Sequence, residues 1–394
     1  MQAFAWPSVE SYRAAGMRVP TRRRGAAAAI AAAFSILSAC AHLPADPSLR
    51  APLPLPEDRR AAFALDGPRA PLGFLKTVLL EDDVAAVSRV VLYRETLDDP
   101  AAVVELHEPV GFATPRPAVL VAPILKGGLV LERYVAGLLV RDGISAAIQI
   151  PPDDPLPPER SPEELAADFL ESVRAGRAIL DFLEAREAVD PTRLGSVGVS
   201  LGALRLVVLL AGEARLRANF LALGGLDAGW ILAHSDEGSV RRYRRERARI
   251  EGVPEDGLSR RFAEAFWFHD AVTAAAIDPR SVVLVLGRND ETVPLSSGLA
   301  LRLALGNPET RILPLGHYTS AVAAPWLGAR LSAFFRARFG IVRRRTRPPR
   351  AASLAGRRIA ALFRGRAAAT RPLRLFSASS AGFARRRNEA WALL

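Results

Sequence analysis

The chain has 394 residues, half of them hydrophobic, and 53 Lys and Arg against 41 Asp and Glu give a formal charge of +12. That length accommodates one sizeable domain with appendages, and the single cysteine, Cys40, excludes an internal disulfide. The positive charge sits at the ends, +4 over the first 40 residues and +13 after residue 340, so the body is near −5 and the distribution argues against a nucleic-acid partner.

At the start, Arg22-Arg23-Arg24 precede the apolar run GAAAAIAAAFSILSA, which has the length of a signal peptide and is short for a membrane span. Residues 1–39 are therefore read as a leader, with Met17 as an alternative start. The closing Leu37-Ser38-Ala39-Cys40 resembles a bacterial lipobox. That resemblance implies cleavage before Cys40 and acylation of this residue, giving an envelope protein anchored in the membrane through lipid. Ala41 in place of an acid implies the outer membrane, facing the periplasm. The Pro-rich segment 40–65 is expected to be a tether.

A domain is expected over 66–340, with early antiparallel strands between Leu72 and Thr114. Then PAVLVAPI (117–124) reads as a buried strand, GGLVLERYVAGLLVRDG (127–143) as a helix and ISAAIQIPP (144–152) as another strand. A long helix follows over 161–189, opened by Ser161-Pro162 with acids in its first turn. Leu194 to Val199 is a short strand, and helical spacing resumes after Gly202. Further strand runs are ANFLALGG (218–225), SVVLVLG (281–287) and TRILPLG (310–316), with helices between them and a last one to about Phe339. Alternation of this kind predicts an α/β fold with a mostly parallel, doubly wound sheet. Residues 341–394 form an Arg-rich tail without core periodicity, read as a solvated extension, with contact to anionic lipid heads as the alternative.

The chemistry concentrates at Gly198-Val199-Ser200-Leu201-Gly202. A serine at a tight strand-to-helix corner presents its hydroxyl at the sheet rim, and flanking glycines leave room for the neighbouring backbone. The Leu201 N–H, at the helix start, can donate to a developing oxyanion. In a doubly wound sheet, partners belong just after other strands. Asp290 follows SVVLVLG and His317 follows TRILPLG. Asp227, after the preceding strand, is the alternative acid, and both Asp290 and Ser200 also fit ordinary turns.

The ordered Ser200, Asp290 and His317 turns resemble the α/β-hydrolase superfamily, its dienelactone-hydrolase and serine-peptidase-like branch in particular. The resemblance implies a carboxylic ester hydrolase with a small-molecule acyl substrate and no cofactor. Ser200 would be the nucleophile, His317 the base and Asp290 its orienting acid. It places the second oxyanion donor at Ile124, because Ala122-Pro123 stand where the family commonly has His-Gly and Pro123 has no N–H. Residues 226–278 are then a helical cap, with Phe262, Phe266, Trp267 and Phe268 lining an acyl pocket; a plain helix pair over the sheet is the alternative. The pair His269-Asp270 lacks the spaced partners of a metal site. Acyl transfer, peptide cleavage or a non-catalytic binding role on the same scaffold remain open.

Overall fold

Short apolar runs become the strands of a single ten-stranded sheet in the computed structural model, which describes residues 40–65, 72–97, 100–126, 128–151 and 155–342. The leader, the alternative start and the tail from 343 onward lie outside the described residues. In chain order the elements begin β1 (Ala41–Leu43), α1 (Glu57–Ala62), β2 (Gly73–Glu81), β3 (Ala85–Tyr93), β4 (Pro100–Pro109), β5 (Arg116–Ala122), α2 (Val130–Arg141) and β6 (Ser145–Gln149). They continue with α3 (Pro162–Glu184), β7 (Val189–Val199), α4 (Leu201–Ala211), β8 (Leu216–Ala222), α5 (Ala228–His234), α6 (Gly238–Glu251), α7 (Gly257–Ala265) and α8 (Ala271–Ala275). Last come β9 (Val282–Gly287), α9 (Leu295–Ala304), β10 (Glu309–Leu313) and α10 (Ala324–Phe339).

The strand order is β1-β10-β9-β8-β7-β5-β6-β4-β3-β2. From β6 through β10 the pairings are parallel, whereas β2, β3, β4 and β1 join antiparallel. The sheet is therefore mostly parallel at its centre, as the alternation of runs predicts. Period-two alternation along β5 sends Ala118, Leu120 and Ala122 into a core shared with α3 and α4, and Val119 and Val121 into a second core shared with α2 and α10. Fully buried Leu120, Val119 and Val121 each contribute roughly 1.5–3 kcal/mol. The strand order reverses around β5, so β5 and β7 end side by side at the carboxyl rim, the place where open α/β sheets bind ligands.

Helix α3 begins where its sequence directs. Ser161 Oγ accepts from the Glu164 N–H at 3.2 Å and Glu164 Oε2 accepts from the Ser161 N–H at 2.8 Å, a reciprocal cap.

Residues 40–65, expected as a tether, carry ordered contacts with the domain. Three residue pairs join β1 to β10, Arg50 donates to the carbonyls of Ala275 and Ala304, and Phe63 is buried in the main core. The segment's own short helix α1 supplies some backbone hydrogen bonds, with the Phe63 N–H on Arg59 O at 2.9 Å, neighbouring elements supply others, and Arg59 pairs with Asp270 at 2.8 Å.

Candidate active site

Ser200 joins β7 to α4 with φ 54° and ψ −123°, a strained backbone for a residue with a side chain. Its N–H is held by the Ala222 carbonyl at 2.9 Å. The turn closes only because glycine stands on both sides. A Cβ on Gly198 would lie 2.6 Å from the Gly202 backbone, and one on Gly202 would lie 2.5 Å from the Ala122 carbonyl oxygen at the end of β5. Leu201 opens α4, so its N–H belongs to a first turn with no intrahelical acceptor.

The loops after β9 and β10 are laced together by backbone, with the Arg288 N–H on Leu313 O at 2.7 Å and the Asn289 N–H on Leu315 O at 3.1 Å. This fixes Asp290 against His317. Asp290 is buried, and its Oδ1 accepts from the N–H groups of Thr292 at 3.0 Å and Val293 at 2.8 Å. Its Oδ2 lies 2.8 Å from His317 Nδ1, and His317 Nε2 lies 2.8 Å from Ser200 Oγ. A carboxylate only accepts, so Nδ1 carries the proton and Nε2 is left to accept from the serine hydroxyl. The three side chains thus form a continuous relay that can draw a proton off the Ser200 hydroxyl.

Asp227 stands elsewhere: its carboxylate caps α5 by accepting from the Trp230 N–H at 2.8 Å. His269 holds backbone at both ring nitrogens, accepting from the Ala228 N–H at 3.2 Å through Nδ1 and meeting Leu204 O at 3.0 Å through Nε2. Since Nδ1 accepts, Nε2 must be the donor, and this neutral ring ties α4 to the start of α5. Burial pushes its pKa below the ordinary 6.5, against the opposing effect of the Leu204 carbonyl.

Residues 226–278 contain four helices, α5 to α8. Phe262, Phe266 and Phe268 are buried there, packed in the main core, with Phe169 edge-on to Phe266 at 5.6 Å. They hold the insertion to α3 and to Phe63 and are not an open pocket lining. Trp267 is half-exposed and stacks under the Arg59 guanidinium, 4.1 Å from the ring centroid. Beside the relay, exposed Tyr318 reaches Glu237 at the start of α6, its hydroxyl 3.2 Å from Oε1.

Ile124 behaves differently from a bare donor. Its N–H is engaged at 2.8 Å by Oε1 of Glu132, a buried residue of the first turn of α2. The same turn is pinned through Arg133, whose Nε donates to Glu105 Oε1 at 2.8 Å and whose Nη2 lies 2.6 Å from Glu105 Oε2. Burial raises the pKa of Glu105, but Arg133 and His107 outweigh it and hold the carboxyl down to about 2. Sequence reasoning missed Glu132 and Glu105. The one signal for Glu132 is an acid among apolar residues in a helix's first turn.

No family model matches the sequence, and no match was found among curated proteins. Solved structures do match. Acetyl xylan esterase 1 from Thermoanaerobacterium sp. JW/SL YS485 aligns with a TM-score of 0.51 at 16% identity, covering 72% of this chain and 96% of its own. An acetyl xylan esterase from Paenibacillus sp. R4 aligns with a TM-score of 0.50 at 17% identity, covering 71% and 92%. The chain has the α/β-hydrolase fold.

Proposed function

We propose that the protein is a serine hydrolase of carboxylic esters that works through an acyl-enzyme on Ser200. The observation that carries this reading is the pair of 2.8 Å contacts on the two nitrogens of His317. Ser200 Oγ attacks the ester carbonyl carbon while its proton passes to His317 Nε2, and Asp290 stabilises the imidazolium. The Leu201 N–H meets the oxyanion. The C–O bond to the alcohol breaks as His317 returns the proton to the leaving oxygen. Water then repeats the sequence on the acyl-enzyme, releasing the acid and restoring Ser200. No cofactor enters any step. The fold neighbours bear esterase names, and an ester is the acyl bond assigned here.

Two measurements test it together. Wild-type protein should hydrolyse p-nitrophenyl esters and be labelled on Ser200 by a fluorophosphonate, and Ser200→Ala should lose both; labelling that persists in the variant rejects the assignment. Product analysis with competing alcohols or amines separates hydrolysis from transfer.

The same proposal includes attachment of the mature chain to the bacterial outer membrane through acyl groups on Cys40, immediately before β1. Incorporation of a labelled fatty acid that is abolished by Cys40→Ser supports it, and equal incorporation in both rejects it.

A further inference from the structure

Buried acceptors in folded proteins find donors, and those that do not demand a reason. Glu132 is 2% exposed. Its Oε1 is satisfied by the Ile124 N–H, but its Oε2 is buried with no hydrogen-bond partner among the described residues. The adjacent cation does not fill the gap, because Arg133 directs Nε and Nη2 to Glu105.

The place of this orphan oxygen matters. The Pro123–Ile124 peptide carries the N–H that Glu132 holds. The carbonyl of that same peptide lies 3.1 Å from where a Cβ on Gly202 would stand, two residues beyond Ser200. The Glu132 carboxylate is therefore held against the strand end that packs on the nucleophile turn. A carboxylate there opposes negative charge developing on a plain ester, since charges in a dry site act over several ångströms. It favours a substrate that brings its own donor.

The geometry points to Glu132 Oε2 as a substrate subsite that accepts a hydrogen bond from a hydroxyl or ammonium group close to the scissile carbonyl. The inference deepens the serine-hydrolase reading and rests on it. The preferred acyl groups are then hydroxyacyl or aminoacyl in character, and the substrate supplies the donor that the described residues do not. Glu132 acts as a specificity residue; the covalent chemistry stays with Ser200 and His317.

Three phenyl esters with acyl groups of matched heavy-atom count test this: propionate, glycolate and glycinate. Their intrinsic reactivities differ, so the quantity to read is the ratio of kcat/KM for glycolate or glycinate to that for propionate, in wild type and in Glu132→Gln. Glutamine keeps an acceptor for the Ile124 N–H and puts an amide donor where Oε2 stood. At least one of the two ratios should fall tenfold or more in the variant. Smaller changes in both ratios, including an equal loss on all three esters, overturn the inference while leaving the serine-hydrolase reading intact. If wild type is neither labelled by fluorophosphonate nor active on any of the three, both readings fail together.

Discussion

Asp290 divides its carboxylate between two tasks, one oxygen closing its own loop on the N–H groups of Thr292 and Val293 and the other reaching His317 Nδ1 at 2.8 Å. The loop contacts fix where the second oxygen lies, so the imidazole is oriented by backbone as much as by charge. Asp290→Asn keeps the size of the side chain but can offer an N–H to Nδ1. The expected result is a fall in kcat of about 10⁴-fold, the scale on which a wrong histidine tautomer acts. A thermal melt close to wild type, recorded alongside the steady-state rates, separates this from unfolding.

Gly198→Ala attacks the turn itself. The added carbon would stand 2.6 Å from the Gly202 carbonyl and 2.7 Å from the Ala203 nitrogen, both backbone atoms of α4. Relief requires moving the helix, and we expect a loss of about 3 kcal/mol or more by urea denaturation. Stability within 1 kcal/mol of wild type would contradict that packing.

His269 makes the fold sensitive to mild acid. Its pKa is lowered in the folded chain, while in the unfolded chain it takes its ordinary value near 6.5. Below pH 6.5 the unfolded state binds a proton that the native ring refuses, so this contribution is full above 6.5 and is lost as pH falls, by at most about 1.4 kcal/mol per pH unit. Denaturation between pH 7.5 and 5 should show the decline. In His269→Gln the slope should flatten, at a cost of about 1–3 kcal/mol at pH 7.5 from the disrupted backbone contacts.

Glu105 titrates in a lower window. With its folded pKa near 2 against an ordinary 4.5, it contributes stability above pH 4.5 that is lost as the pH falls toward 2. Glu105→Gln loosens the grip on Arg133 and should cost about 1–3 kcal/mol at neutral pH. The acid limb of its stability curve should also be shallower between pH 4.5 and 2. Because Arg133 neighbours Glu132, crystallography of this variant should show whether the first turn of α2 shifts.

Phe63→Ala examines the segment that was expected to swing free. Phe63 is buried and meets Phe268 edge-on at 6.2 Å. Its truncation should destabilise the whole domain by about 3–5 kcal/mol in calorimetry. A tether would show no change.

Ser200, Asp290 and His317 were readable because each occupies the turn after a buried strand run, where period-two patterning and local glycines announce the position. The central parallel strands were readable for the same reason. β1 was not: three residues in proline-rich surroundings carry no period, and only the open edge of β10 makes them a strand. The aromatic cluster in α7 and the turn after it was recognisable as apolar, but which side it faces depends on how the insertion folds back onto Phe169. Glu132 was hidden because its partner is a main-chain N–H eight residues away, brought into reach by the bend between β5 and α2.

The antiparallel course of β1 has a directional outcome. Ala41 lies opposite Ile312, near the finish of β10, and His317 comes only five residues after Ile312. The chain therefore joins the domain at the same end of the sheet as the proton relay. Residue 40 thus stands on the carboxyl-end rim that also carries Ser200, four strands along the sheet from β7.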